Sequence, residues 1–235
     1  MTIAASAPEV RLAAVWRLLS LGFAPPTDDT VAEVEALAEG LHELEPSPEI
    51  DDLLAALQTS TADELATQFF SLFGGTVRVP PYEGSYELDP IRQGRQMADV
   101  AAFYRAFGAE PNGPAAERPD HVGCELEFLS FLELRRLTAL EGHEDVELLD
   151  EIVVSFLTDH AGRWLPTFFA GVLEATSRAP LYQALASLGE RTTADELARR
   201  SLAPAPLPRR HAQLAVEADS FECGSPDTAA PRSRR

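Results

Sequence analysis

The sequence predicts an all-α fold, a single helical bundle of about eight or nine helices. Apolar residues recur three and four positions apart along almost the whole chain of 235 residues, which is the spacing of a helix face. No stretch alternates apolar and polar residues as a half-buried strand does, and no internal repeat indicates a solenoid. A hydrophobic content of 45% is typical of a globular chain and not of a disordered one.

The first four predicted helices are bounded by prolines, glycines and capping residues, which end helices or satisfy their free backbone amides. The clearest start is Thr61 to Glu64, which has the spacing of a capping box. It opens a strongly apolar helix that ends at Gly74 and Gly75. The four helices are predicted over residues 9–23, 31–44, 48–58 and 61–73, with Asp28, Asp29 and Thr30 as caps of the second.

The helical spacing breaks at residues 76–90, TVRVPPYEGSYELDP. Proline fixes φ and removes an amide donor, so this proline-rich stretch is predicted to be an ordered but irregular connection. Tyr82 and Tyr86 on such a connection are typical of surface recognition groups, because a tyrosine combines an apolar ring with a polar tip.

Helical spacing resumes after this connection and continues to about residue 200. Pro119 suits the first turn of the longest helix, because its missing amide hydrogen would be unsatisfied there. Residues 203–235 are proline-rich, end in RSRR and are predicted to be a mobile tail, so the helical domain spans residues 1–202. The remaining helices are predicted over residues 91–107, 119–140, 145–160, 163–176 and 180–200, with a loop at 109–118.

The formal net charge of −19 bounds the partners. Nucleic acids and anionic lipids need clustered Lys or Arg, so neither is expected to bind, whereas a basic partner is attracted over long range. No apolar run approaches the roughly 20 residues of a membrane span, and residues 1–9 lack the features of a secretory signal. A cytoplasmic protein is therefore expected, with Cys124 and Cys223 as free thiols.

Catalytic and metal-binding motifs are scarce. The sequence has no phosphate-binding loop, dinucleotide fingerprint or nucleophile elbow, and no paired Glu-x-x-His elements, so no metal or cofactor is expected. Asp120, His121 and Glu125 form a candidate acid–base cluster, because residues four apart on a helix are within hydrogen-bonding reach. This cluster makes a small hydrolase the alternative function. The residues alone favour a structural interpretation, in which Asp120 caps or anchors the helix start and His121 bridges to a neighbouring loop.

Three blocks of sequence carry the motifs of one known family in the same order. The first is the aromatic helix leading into PPYEGSY, residues 80–86, similar to P-[WY]-x-S-x-[YW]. The second is ERPDHVGCELEFLSFL, residues 117–132, similar to E-x-P-D-H…E-L-x-F. The third is FLTDHAGRWLPTFF, residues 156–169, followed by APLYQALASL, residues 179–188. Over roughly residues 60–190 the chain thus resembles the TorD/DmsD/NarJ family of redox-enzyme maturation chaperones.

This resemblance implies a cytoplasmic, all-helical chaperone without catalytic activity. Such proteins bind the N-terminal twin-arginine-type signal segment, or a remnant of it, on the catalytic subunit of a molybdoenzyme of the dimethyl sulfoxide reductase superfamily. They hold it until the molybdopterin cofactor, which belongs to the client, is inserted. An aromatic groove with carboxylates beside it suits an arginine pair followed by an apolar stretch. By the resemblance, the peptide-binding groove is lined by Phe69, Leu72, Phe73, Pro81, Tyr82, Gly84, Ser85 and Tyr86, with Pro119, Asp120, His121 and Glu125 at its rim.

The chain departs from the family pattern at two positions where some relatives carry Trp. One is Tyr82, which is followed by Glu83, and the other is Val77. Family members can exchange helices between protomers, so a monomer or a helix-swapped dimer is expected, with loop 109–118 as a hinge. Some members bind GTP, which keeps a nucleotide-binding regulator as a third interpretation, although the sequence offers no loop to cradle a phosphate.

Overall fold

The computed structural model describes residues 7–74, 76–109, 117–142, 146–176 and 179–208, and these residues form nine α-helices. Helices α7 and α8 are joined without a break by a π-turn, Leu157–Ala161, so the described residues form eight separate helical segments. The predicted all-α bundle of eight or nine helices is confirmed. The helices are α1 Ala7–Gly22, α2 Asp28–Leu44, α3 Pro48–Thr59, α4 Ala62–Phe73, α5 Pro90–Ala106, α6 Val122–Gly142, α7 Val146–Phe156, α8 Gly162–Ala175 and α9 Pro180–Arg199.

Capping residues account for the helix starts at the N-terminal end. The predicted capping box of α4 is confirmed: the Glu64 amide donates to the Thr61 hydroxyl, and the Glu64 carboxylate accepts from the Thr61 amide at 2.7 Å. For α2 the predicted set of caps is corrected. Thr27 is the N-cap and forms a capping box with Thr30. Asp28 and Asp29 lie in the first turn, where their negative charges interact favourably with the positive end of the helix dipole.

The start of α6 differs from the prediction. The helix begins at Val122, and Pro119 lies in a turn before it. Tertiary hydrogen bonds replace the expected first helical turn: Tyr82 and His121 form an isolated antiparallel bridge, and the hydroxyl of Tyr104 donates to the carbonyl of Pro119 at 2.8 Å. Within the irregular connection, directly after Tyr82, the chain forms a short 3-10 turn, Glu83–Tyr86.

The π-turn is the second difference, because separate helices were predicted over 145–160 and 163–176. A π-turn widens a helix locally and is common at functional sites. Gly162 directly follows it, and a Cβ there would collide with the carbonyl oxygen of Leu157 and lie 3.0 Å from the Leu197 side chain. Glycine therefore lets α9 approach the widened turn closely. Pro166 lies inside α8 and removes one further helical hydrogen bond.

The core is centred on α1, which packs against α2, α6 and α9, while α9 packs against α3 and α8. Aromatic rings fill the space between α1, α4, α8 and α9 in edge-on and tilted contacts, with centroids 5.1 Å apart for Phe23 and Phe168 and 5.5 Å for Phe73 and Tyr182. Such rings supply much of the buried apolar area of a core. By contrast, α5 packs chiefly against the 3-10 turn. None of the described helices combines the length and hydropathy that crossing a membrane requires.

The predicted boundary of the tail is corrected. Residues 203–208 lie against α8, where the Leu207 side chain is 5% exposed. The Leu207 amide donates to the carbonyl of Arg163 at 2.8 Å, and the Thr167 hydroxyl donates to the Leu207 carbonyl at 2.9 Å. Because the Leu207 side chain is buried and its backbone amide and carbonyl are both hydrogen-bonded to α8, residues 203–208 pack against the helical domain and do not belong to a mobile tail. Residues 209–235, which include Cys223, lie outside the described part of the chain.

Candidate functional site

The two motif segments that precede α5 and α6 lie side by side. The amide of Glu83 donates to the carbonyl of Asp120 at 2.9 Å, and the amide of Val122 donates to the carbonyl of Pro81 at 2.8 Å. These main-chain bonds join the PPYEGSY segment to the ERPDH segment, although they are distant in sequence. The predicted site residues of both segments are therefore brought together in one place.

Asp120 anchors this junction from inside. Its side chain is fully buried; the Arg118 guanidinium donates to both carboxylate oxygens at 3.0 and 2.8 Å, and the Gly84 amide donates to one of them at 3.2 Å. A Cβ on Gly84 would lie only 3.0 Å from that oxygen, so glycine makes the approach possible. The prediction of Asp120 as a carboxylate at an open rim is thus corrected, because Arg118 already neutralises it.

His121 caps α6. Its Nδ1 atom accepts a hydrogen bond from the Gly123 amide at 3.1 Å, and its ring lies edge-on to the Tyr82 ring with centroids 5.2 Å apart. Burial lowers the pKa of His121, since desolvation disfavours the charged imidazole. The predicted hydrogen bond between the side chains of His121 and Glu125 is not formed. His121 precedes α6, and its ring faces the Gly123 amide at the start of that helix.

Glu125 lies beneath the junction with no exposed surface. One carboxyl oxygen accepts from the Trp164 indole at 2.8 Å, and the other has no hydrogen-bond partner. Burial raises the pKa of Glu125 well above its usual range, and the nearby Glu83 adds to this, because both effects disfavour ionisation. An internal carboxyl group that makes no hydrogen bond to His121 neither orients that ring nor reaches a substrate, so the hydrolase cluster is not assembled.

The predicted groove residues of α4 lie in the core. Phe69 and Leu72 are buried, and Phe73 is half-buried with its ring 5.2 Å from that of Phe69. Tyr86 is also buried; its hydroxyl donates to the carbonyl of Pro80. The exposed aromatic ring of α4 is instead that of Phe70, with 63% of its surface accessible, although the helical spacing predicts it as part of the core face with Phe69 and Phe73.

Besides Phe73, the half-buried predicted site residues are Tyr82, Ser85 and Pro119, which lie together at the surface of the junction. The Tyr82 hydroxyl donates to the Glu117 carboxylate at 3.3 Å, and the Arg118 guanidinium lies 4.5 Å from the centre of its ring. Pro81 and Gly84 are buried beneath them. This surface therefore presents an aromatic ring beside an exposed carboxylate.

Next to the junction, a groove of about 630 Å³ lies between α5 and the π-turn. Its lining includes Gln96 and Asp99 of α5 and His160 of the π-turn. His160 is 1% exposed and its Nδ1 atom lies 3.2 Å from the carboxylate of Glu83. The third sequence block contains His160, but sequence reasoning gave it no role because its partners come from distant segments.

Metal binding finds no support in the described residues, which contain no group of three or more His, Cys, Asp or Glu side chains able to hold an ion. Burial raises the pKa of Cys124 to about 12, so this thiol is neutral and a poor ligand or nucleophile at physiological pH.

Comparison with known proteins adds a family. Residues 32–170 match the model of the family described as nitrate reductase delta subunit. The chlorate reductase assembly chaperone protein of Ideonella dechloratans is 34% identical over 113 residues, which cover 48% of this chain and 58% of the relative. The selenate reductase assembly chaperone protein of Thauera selenatis is 36% identical over 122 residues, covering 52% and 61%. The chain thus spans less than two thirds of the length of these two relatives.

Two further similarities cover more of the chain. The chaperone protein TorD of Vibrio cholerae is 27% identical over 173 residues, which cover 68% of this chain and 78% of the relative. A crystal structure of an Archaeoglobus fulgidus protein assigned to redox enzyme maturation superposes with a TM-score of 0.54 at 23% identity, covering 76% of this chain and 91% of that chain. This structural similarity supports the fold.

Proposed function

This chain belongs to the nitrate reductase delta subunit family, and from that premise we propose that it is an assembly chaperone for one molybdenum-containing redox enzyme. The chaperone binds the N-terminal, twin-arginine-type signal segment of the apo catalytic subunit in the cytoplasm. It holds that subunit until the molybdopterin cofactor has been inserted, and only then allows assembly or export. The chain itself carries no cofactor and catalyses no reaction.

The observation that carries the proposal is the family match, because it spans both motif segments of the junction. Relatives named as assembly chaperones for chlorate and selenate reductases point to a redox-enzyme client. The acidic charge of −19 favours a basic segment, and Tyr82 beside Glu117 offers an aromatic ring and a carboxylate to such a segment.

Burial divides the predicted site residues into two groups. We propose that the half-buried Tyr82, Ser85 and Pro119 contact the client directly. The buried residues hold this surface in place: Asp120 anchors the 3-10 turn through Gly84, and His121 supports the Tyr82 ring. In the same way Phe69, Leu72, Pro81, Tyr86 and Glu125 act from the interior, and the half-buried Phe73 packs its ring against the core.

Peptide binding tests the proposal. A synthetic segment with an arginine pair followed by an apolar stretch is expected to bind the full chain with micromolar or better affinity. Tyr82→Ala should weaken binding by about 1–3 kcal/mol, as loss of an aromatic anchor usually does. Tyr82→Phe keeps the ring and should retain most of the affinity. The measurement is isothermal titration calorimetry.

Leu134→Ala is the matched control, because Leu134 is a 54% exposed apolar residue of α6 outside the junction, and it should leave affinity unchanged. The proposal is wrong if the wild-type chain does not bind the segment at all. Loss of affinity on Leu134→Ala equal to that on Tyr82→Ala would contradict the assignment of Tyr82.

A further inference from the structure

Arg118 occupies the position that the family pattern E-x-P-D-H leaves open. Its guanidinium donates to both oxygens of the buried Asp120 carboxylate, from Nε at 3.0 Å and from Nη2 at 2.8 Å. The same guanidinium lies 4.5 Å from the centre of the Tyr82 ring. A planar cation that is held by a two-point ion pair and by an aromatic ring has little conformational freedom left to lose when it binds a further group. Arg118 is therefore a preorganised cation at the surface of the junction.

The guanidinium of Arg118 has more donors than Asp120 uses. A guanidinium carries about five N–H groups in one plane, and the pairing with Asp120 takes one from Nε and one from Nη2. The N–H groups of the opposite edge, on Nη1 and Nη2, have no partner in the part of the chain that the structure describes. The Arg118 side chain is 51% exposed, whereas that of Asp120 is fully buried. The outer edge of the guanidinium is therefore accessible to a ligand, and Asp120 is not.

The neighbouring Glu117 does not use this outer edge. One of its carboxylate oxygens accepts from the Tyr82 hydroxyl at 3.3 Å and from the main-chain amide of Arg118 at 2.9 Å, and within the described residues the guanidinium pairs with Asp120 alone. The surface beside Tyr82 thus presents an anion and a cation at consecutive positions. Because a carboxylate matches two parallel N–H groups of a guanidinium, the group that fits the outer edge of Arg118 is a carboxylate.

We propose that Arg118 is a specificity-determining residue that binds an acidic side chain of the client segment, next to the arginine pair of that segment. The inference rests on the proposed function and adds a group that the matching client must carry. Since Glu117 and Arg118 are consecutive, the complementary segment has opposite charges at neighbouring positions. The net charge of −19 disfavours an acidic ligand at long range. A gain in affinity from an added carboxylate must therefore come from a local cation.

Matched peptides test the inference on the full chain, with binding measured by fluorescence anisotropy. Each pair is built on the arginine-pair peptide, an arginine pair followed by an apolar stretch, and differs only in Asp or Asn at one position beside the arginines. In at least one pair the wild type should bind the Asp peptide about fivefold more tightly, as expected for a charge-assisted hydrogen bond at a half-exposed site. Arg118→Gln should abolish this preference, and Arg118→Lys should keep only part of it, because an ammonium lacks the planar fork.

The glutamine-substituted peptide, in which both arginines are replaced by glutamine, separates the two charges of the segment. It should bind more weakly than the arginine-pair peptide, yet Asp at the preferred position should still improve its binding, because Arg118 supplies the cation. A preference for Asp that disappears with the peptide's own arginines would mean that they, and not Arg118, respond to the carboxylate, and the inference would be wrong.

Arg135→Gln is the matched control, because Arg135 is an exposed arginine of α6 whose loss changes the net charge equally; it should leave the preference intact. Arg118→Gln also leaves the buried Asp120 without its cation, so the double variant with Asp120→Asn removes both charges and should lack the preference as well. A preference restored in the double variant would show that the unpaired Asp120 had repelled the peptide, which overturns the inference.

The comparison of Asp and Asn peptides on the wild type needs no variant to fold. If the wild type binds both equally, the carboxylate site is wrong and the proposed function stands; if it binds no peptide, both fail. Equal weakening of the Asp and Asn peptides by Arg118→Gln would show that Arg118 only positions Tyr82 and Asp120.

Discussion

Three carboxyl groups with no exposed surface, those of Glu83, Asp120 and Glu125, lie around the junction of the two motif segments. A buried carboxylate is costly unless charges and donors compensate it. Asp120 receives three such bonds, from Arg118 and Gly84, whereas Glu125 receives one, from Trp164. Glu125 is therefore the least compensated of the three.

Glu125→Gln should stabilise the protein, and more so at high pH. The pKa of Glu125 is raised in the folded state, so its contribution to stability is fully present below the unfolded pKa and is lost as pH rises through the folded pKa. Glutamine cannot ionise and can still accept from Trp164. We expect a melting temperature about 2–4 °C higher at pH 9, the shift that about 1 kcal/mol gives at this chain length, and a smaller difference at pH 5.

Thermal unfolding followed by circular dichroism at both pH values measures this, with Glu151→Gln as control because Glu151 is an exposed glutamate of α7. Equal shifts at pH 5 and pH 9 would show that repacking, and not ionisation, causes the effect.

At the scale of single residues, the sequence predicted which motif residues lie together but not which of them are buried. The motifs located Tyr82, Gly84, Asp120 and His121 correctly at one place, because a family motif is a local pattern. The burial of Asp120 was not predictable, since the 3-10 turn whose Gly84 amide donates to it lies 36 residues away in sequence. The groove was missed for the same reason: Glu83 and His160 are 77 residues apart.

At the scale of elements, most helix bounds were predictable because caps and prolines act on adjacent residues. The capping box of Thr61 and the proline at the start of α3 are examples. At α2 the N-cap is Thr27 and not the predicted Asp28 to Thr30. The start of α6 and the π-turn differ from prediction because tertiary contacts override the local preference there. Gly162 reads as a helix breaker in sequence, yet it serves the close approach of α9.

Leu207→Ala should destabilise the protein by about 2 kcal/mol, the lower end of the range for a buried leucine. The segment 203–208 is held to α8 by this side chain and by backbone bonds to Arg163 and Thr167. Pro206→Ala, at an exposed position of the same segment, should change stability by less than about 0.5 kcal/mol. Urea denaturation of the full chain measures both, and an unchanged Leu207→Ala variant would restore the mobile-tail prediction.

At the scale of the whole molecule, fold class and charge follow from composition and periodicity, while topology does not. Helical spacing predicts the number of helices, but the packing of α9 against both α3 and α8 depends on contacts between segments that are distant in sequence. The net charge of −19 is a property of the entire surface, so its consequence belongs to the encounter between molecules and not to one contact.

We expect the charge to act on the rate of client binding more than on its strength. An acidic body attracts an arginine-bearing segment from a distance, which raises the association rate constant, and salt screens this attraction as the Debye length falls from about 30 Å at 0.01 M to about 8 Å at 0.15 M. Apolar contacts that hold the bound segment are not screened.

Stopped-flow binding of the arginine-pair peptide should therefore show an association rate constant that falls severalfold over this range, while the dissociation rate constant changes less than about twofold. The glutamine-substituted peptide should lose most of the salt dependence, because it removes the charge on which the field acts. An effect of salt confined to dissociation would instead mean that ion pairs in the bound complex, and not the field of the whole molecule, respond to it.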